Sequence, residues 1–110
     1  MNKILWEPTK ESIESSEMMK FIHFINSKES TSLSSYEELY NWSISYADKF
    51  WGHFSDFSEI IYQQSHSEII DDIKKMPGAV WFKEAQLNFA ENLLRYRDSK
   101  NAIITIDENN

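Results

Sequence analysis

Apolar residues recur along this chain at helical spacing in two blocks and at extended spacing in two others. Met18, Phe21, Ile22 and Ile25 follow the i, i+3, i+4, i+7 rule and predict a helix running from Glu11 or Ser16 to about Ser27. The polar run Ser27 to Ser34 predicts a loop. Ser35-Tyr36-Glu37-Glu38 reads as a capping box, with the serine oxygen on a free N–H of the first turn and Glu38 reaching back. Beyond it Tyr36, Leu39, Tyr40, Ala47, Phe50, Trp51 and Phe54 keep helical spacing. Ser45 followed by Asp48 offers a second cap, so this block is either one helix or two with a bend near Tyr46.

The flanking stretches read differently. Met1 to Thr9 is expected to be an extended arm, since Pro8 steers Glu7 away from helix. Between Asp56 and Lys75 the short runs Ile60-Ile61-Tyr62 and Ile69-Ile70 leave helix and strand both open. Met76-Pro77-Gly78 is a turn signal, followed by an extended Ala79-Val80-Trp81-Phe82 whose aromatic pair is expected to pack into the core. Asn88 with Glu91 predicts an N-cap for a helix ending near Arg97, where Arg95 and Arg97 would suit the helix dipole. Ala102-Ile103-Ile104-Thr105-Ile106 has the composition of a strand. Its partners are either the weak runs near Ile60 and Ile69 or, the preferred reading, residues of a longer parent chain. The fold class is therefore mainly α: a small bundle of about four helices, an extended N-terminal arm, short irregular β segments and one C-terminal strand.

Composition narrows the chemistry. With 41% hydrophobic and 15% aromatic residues in 110, the chain is globular, yet it is short enough to leave much apolar surface exposed. That surface makes self-association through exposed aromatics an expectation. No cysteine is present, which removes disulfides, thiolate metal sites and a cysteine nucleophile. The formal net charge of −7 opposes polyanions at long range, so neither nucleic acid nor an anionic membrane is an expected partner. Gly52 and Gly78 are the two glycines, too few and too far apart to build a phosphate-cradling loop. The first ten residues lack the apolar stretch of a signal peptide and no run could span a bilayer, so a cytoplasmic location is expected.

Residue types that often carry chemistry read here as structural. His23, His53 and His66 are scattered, with no His-x3-His pair, so no metal site is assigned. Asp71-Asp72 could be paired carboxylates, but neighbours in sequence point apart and Lys74-Lys75 follow, which favours a solvated charge run. Trp81-Phe82 could stack on an adenine ring, although core packing explains it with less. Trp42, Phe50, Trp51, Phe54 and Phe57 read as core or interface. No catalytic, cofactor-binding or metal-binding residue is assigned.

Two of these stretches also carry a resemblance. Met76 to Leu94, MPGAVWFKEAQLNFAENLL, resembles the MPGA-x-WF…LN-(Y/F)-AENLL signature near the start of acetoacetyl-CoA synthetases. Tyr36-Glu37-Glu38-Leu39-Tyr40-Asn41-Trp42-Ser43, then Phe50-Trp51, resembles the segment upstream of it, and Trp6, Pro8, Ser16, Met18 or Met19, and Phe21 resemble the family's opening. The acetyl- and propionyl-CoA synthetases share a looser pattern and are the near alternative. The resemblance implies an adenylate-forming ligase that uses ATP and Mg²⁺ to activate acetoacetate and passes the acyl group to CoA, releasing AMP and pyrophosphate. It also implies that the phosphate loop, acyl pocket and catalytic lysine lie beyond Asn110, so this segment alone is expected to be inactive. On that reading residues 1–98 form a helical N-terminal domain packed on a large ATP-binding domain that begins at 99–110. The competing class is a stand-alone acidic helical module that binds a protein partner through its aromatics.

Overall fold

The structure, a computed structural model, describes residues 3–108; Met1 and Asn2 of the expected arm, and Asn109 and Asn110 of the expected domain start, lie outside them. Residues 3–9 form neither helix nor strand and lie exposed, Leu5 at 93%. The expected first helix divides in two at Ser16. Helices α1 (Lys10–Glu14) and α2 (Glu17–Glu29) meet there because the Ser16 hydroxyl serves both. It donates to the Ile13 carbonyl at 2.6 Å and accepts the Met19 N–H at 3.2 Å. Ser30, in the left-handed region at φ 54°, ends α2. Asn26 organises the turn that follows. Its Oδ1 accepts from Leu33 N–H and Thr31 Oγ1, and its Nδ2 donates to the Leu33 carbonyl, each at 2.8 Å.

Ser35 caps α3 (Tyr36–Ser45) as expected, accepting the Glu38 N–H at 3.2 Å. The reach-back differs by one residue: the Glu38 carboxylate takes the N–H and hydroxyl of Ser34, at 2.6 and 2.9 Å. Of the two readings for the next block, the bend holds. Tyr46, at φ −133° and ψ 55°, separates α3 from α4 (Ala47–Phe57). Ser45 does not cap α4, because its hydroxyl is spent on the Asn41 carbonyl one turn back at 3.0 Å.

The core lies where α2, α3 and α4 meet. Phe21, Ile22 and Ile25 of α2 are buried against Leu39 and Trp42 of α3, and Phe50 and Phe57 of α4 pack onto them. Phe21 takes the edge of Phe50 at 5.7 Å and of Phe54 at 5.6 Å between ring centroids, the geometry aromatic quadrupoles favour. Burying an aliphatic side chain of this size stabilises by about 1.5–3 kcal/mol, so these few residues supply most of the apolar burial. Met18, the N-terminal end of the predicted stripe, stays largely outside.

The undecided stretch after α4 becomes half of a hairpin. Strand β1 (Glu68–Ile70) pairs antiparallel with β2 (Trp81–Lys83), in the register Glu68 to Lys83 and Ile70 to Trp81, with a further bridge between Gln64 and Gln86. Ile69 of β1 lies against Gly52 of α4, where a Cβ would come within 3.3 Å of the Ile69 Cδ1; the missing side chain lets the hairpin sit close to the helix. The turn contains a cis Met76–Pro77 bond and Gly78 at φ 109°.

Two expectations about the C-terminal part need correction. Among the described residues, Ala102 to Ile106 join no ladder: the Ile69–Ile70 run is already paired with β2, and a strand without a partner cannot form. Helix α5 (Phe89–Leu93) begins at Asn88 as expected, with Oδ1 accepting the Glu91 N–H at 3.1 Å, but it stops well before Arg97. Leu94, at φ −96° and ψ 19°, ends the helix, and Arg95 follows it outside the helix. Arg95 donates to the carbonyls of Glu59 at 2.7 Å, Ser58 at 3.3 Å and Asn92 at 3.1 Å.

The architecture is mainly α with one two-stranded sheet, as the pattern predicts. It is not compact. The radius of gyration is 18.7 Å, against about 13 Å for a compact domain of this length. Its accessible surface is 9649 Å², where a folded monomer of this mass exposes about 6,400 Å². The surplus exceeds the roughly 800 Å² that one partner gives up in a standard interface, and the exposed residues 3–9 and those after α5 contribute to it.

Candidate docking face

Helix α4 carries two unlike sides, set by its 100° step per residue. Lys49 and His53, four apart, share one side; Trp51, Phe54 and Ser55 share the other.

The polar side binds helix to helix. The Glu29 carboxylate, at the end of α2, accepts from Lys49 Nζ at 2.6 Å and pairs with His53 Nε2 at 2.7 Å. The hydrogen bond to His53, then that to Lys49, holds the Glu29 carboxyl below its ordinary range, and Glu29 in turn raises Lys49. A shallow depression beside them is bordered by Asp48, Glu68, Ile69 and Ile70, mixing charges of both signs. These groups tie α4 to α2; the arrangement is a clamp between elements. Among the described residues, no three His, Asp or Glu side chains converge as a metal site would need.

The other side is apolar. Trp51, Phe54, Ile60, Tyr62, Phe82 and Leu87 line an open groove of about 270 Å³ between α4 and the hairpin. Trp51 meets Trp81 edge to face at 6.3 Å and Phe54 at 5.9 Å, so the aromatic surface runs on past the rim. Ser55, 6% exposed and the buried polar residue of the helix, forms the floor with Tyr62; their hydroxyls are 2.6 Å apart. His66 stands edge-on to Tyr62 and Phe82, with its Nδ1 buried and unpartnered. Trp81 and Phe82 are thus the wall of a groove rather than core, because the turn before them carries the pair past the helical packing.

The groove is joined to the chain's exit by a second polar staple. Asn92 Oδ1 accepts the Ile61 N–H at 2.8 Å and its Nδ2 donates to the Ile61 carbonyl at 3.0 Å; Arg95 adds a bond to the same Oδ1 at 2.9 Å. These bonds pin α5 beside Ile60. Asp71-Asp72, expected to be a solvated charge run, is more ordered than that. Asp71 takes Lys75 on one oxygen and the N–H groups of Val80 and Asp72 on the other, closing the hairpin's end, and these contacts hold its carboxyl far below the usual range. His23 lies exposed on α2, apart from the other two histidines.

Residues 36–93 match the family described as the acetyl-coenzyme A synthetase N-terminus, more than half of the chain. The chain belongs to that family. The matched span starts at the first residue of α3 and ends at the last of α5, so every residue lining the groove lies inside it. Beyond the family span, the chain is 37% identical over 98 residues to the acetoacetyl-CoA synthetase of Xenopus tropicalis, covering 88% of this chain and 14% of that protein. It is 35% identical over 113 residues to the malonamoyl-CoA synthetase of Penicillium aethiopicum, covering 96% of this chain and 15% of that one. The solved acetoacetyl-CoA synthetase from Streptomyces lividans superposes with a TM-score of 0.73 at 26% identity, over 82% of this chain and 14% of that one. This N-terminal segment therefore spans about one seventh of the length of the relatives it matches.

Sequence reasoning missed the Asn92–Ile61 and Ser55–Tyr62 pairs. In the first, partners 31 residues apart leave no local signal. The second is only seven apart, but it spans a helix end and a left-handed Glu59 that periodicity does not reveal.

Proposed function

We propose that this segment is the N-terminal helical region of an acyl-CoA synthetase acting on a short 3-oxo acid, acetoacetate being the first candidate. Residues 1–98 form the region and 99–110 lead into a large ATP-binding domain, against which the apolar face packs. The observation that carries this reading is the surplus of exposed surface on a chain that makes up about one seventh of its relatives. Acetoacetate and malonamate, named for two of those relatives, are both carboxylic acids with a second carbonyl on the β carbon. That shared chemistry supports the substrate class.

ATP, Mg²⁺ and CoA belong to the whole synthetase on this reading. Residues here do not suit a phosphate group: Gly52 sits inside α4 and Gly78 in a turn, so no run of glycines lets N–H groups converge. The segment's contribution is structural, and alone it forms no adenylate. The test is to delete residues 1–98 from the whole synthetase and measure acetoacetate-dependent pyrophosphate release and thermal stability. Loss of both is expected; an unchanged enzyme overturns the reading. Adenylate formation by the 110-residue chain alone would overturn its assigned inactivity.

A further inference from the structure

We infer that α5 is a polar latch: it releases from the helical body as one unit while the core between α2, α3 and α4 stays folded. From Phe89 to Arg97 the half-buried residues are Asn92 and Arg95, three apart on one side, and every other position is exposed. The usual polarity of a docked helix is inverted here. The inward side is polar, while Phe89, Leu93, Leu94 and Tyr96 stand 61–77% exposed.

Hydrogen bonds hold the segment in place. Asn92 exchanges two with the Ile61 backbone, at 2.8 and 3.0 Å, and Arg95 donates to the carbonyls of Glu59 at 2.7 Å and Ser58 at 3.3 Å. After release water takes the same positions, so each bond contributes little net stability. The core is held differently. Phe21, Ile22, Ile25, Leu39 and Trp42 are buried against one another, and water offers no substitute for that contact. The weaker attachment therefore opens first. It opens as one piece because its bonds share an atom: Arg95 Nη2 donates, at 2.9 Å, to the same Asn92 Oδ1 that accepts the Ile61 N–H. Little surface is uncovered, since no residue of α5 is buried. One consequence rests on the function proposed above: there the latch lies at the junction with the large domain, and its release is the joint about which the helical region swings.

Amide hydrogen exchange of the 110-residue chain, followed by NMR at several low urea concentrations, tests the latch. The reporters are Ile61, whose N–H is held by Asn92, and Leu94, whose N–H donates to the Ala90 carbonyl at 2.9 Å. Ile22 and Ile25 report on the core. We expect Ile61 and Leu94 to exchange at least about tenfold faster than the core pair, through an opening nearly independent of urea because it exposes little surface. Ile22→Val, a mild core truncation, should speed exchange at positions 22 and 25 about threefold and leave Ile61 and Leu94 unchanged. Arg95→Ala, whose side chain bonds neither reporter amide, should speed Ile61 and Leu94 by one common factor. A urea slope at Ile61 and Leu94 equal to that of the core, or equal acceleration of all four by Ile22→Val, makes the chain one cooperative unit and overturns the latch. Unequal responses of Ile61 and Leu94 to Arg95→Ala overturn it too, reducing the release to independent fraying. A silent deletion of residues 1–98 removes the proposed function and the joint but leaves the latch standing, so the two fail separately.

Discussion

Asn92 and the backbone of Ile61 satisfy each other completely: one side-chain amide both accepts the Ile61 N–H and donates to the Ile61 carbonyl, at 2.8 and 3.0 Å. The pair joins α5 to the segment leaving α4, bridging two pieces of chain that the β1–β2 hairpin separates in sequence. It makes the asparagine of the AENLL stretch a structural linchpin.

Replacing Asn92 with Ala is expected to destabilise the chain by about 2 kcal/mol, since two part-buried backbone groups lose their partners at once. Arg95 would keep its bonds to Ser58 and Glu59, so α5 loosens before it detaches. Urea denaturation of the variant beside the parent reads the change, and a difference under half a kcal/mol would contradict the assignment.

Acid should weaken the fold through Asp71, Glu29 and Glu38, all held below the ordinary carboxylate range by hydrogen bonds from Lys75, His53 and the Ser34 N–H respectively. A depressed folded-state pKa contributes stability that is present above the unfolded value, about 4. It is lost as pH falls through the lower folded value. Melting temperature is therefore expected to be level between pH 5 and 7 and to drop below 4. Asp71→Asn should lower the neutral-pH plateau and make the acid limb shallower, as measured by circular dichroism between pH 2 and 7.

The Ser55–Tyr62 pair predicts non-additivity. Either Ser55→Ala or Tyr62→Phe strands the other hydroxyl at the groove floor, at a cost of about 1–2 kcal/mol each. The double variant removes both polar groups and is expected to be less destabilised than the sum of the singles. A strictly additive double-mutant cycle would show that the 2.6 Å contact contributes nothing.

Gly78 sits at φ 109°, a region closed to side chains bearing a Cβ, although there is open space around the position. Gly78→Ala is expected to cost roughly 1–3 kcal/mol from backbone strain alone. Thermal melts of this variant beside Gly52→Ala separate strain from crowding, because Gly52 is helical and meets only the flexible end of Ile69.

Much of the helical architecture was legible because it rests on local rules. The caps at Ser35 and Asn88 each follow from residues within one turn, while the bend at Tyr46 was one of two open readings. The hairpin was not legible. Ile69 and Ile70 become strand only because Trp81 pairs with them across a turn, and nothing within β1 distinguishes that outcome from helix. Ala102 to Ile106 do not pair with the Ile60 or Ile69 runs, which excludes one of the two partner readings, because composition supplies a willing strand and never its partner. No catalytic residue was assigned from the sequence. The aromatic cluster of α4, read as core or interface, proves to be both: Trp42 and Phe57 pack inward while Trp51 and Phe54 line the groove.

The excess surface noted for the fold has a consequence for reading natural variation. In this chain Leu87 is 47% exposed, and solvent exposure ordinarily marks a position that tolerates change. If the following chain covers it, a polar substitution there acts as a core mutation, while one at Ser27 remains silent. Tolerance measured on the 110 residues and tolerance measured on the whole protein would then differ most along the Trp51-to-Leu87 strip, and that difference would map the face that the proposed packing covers.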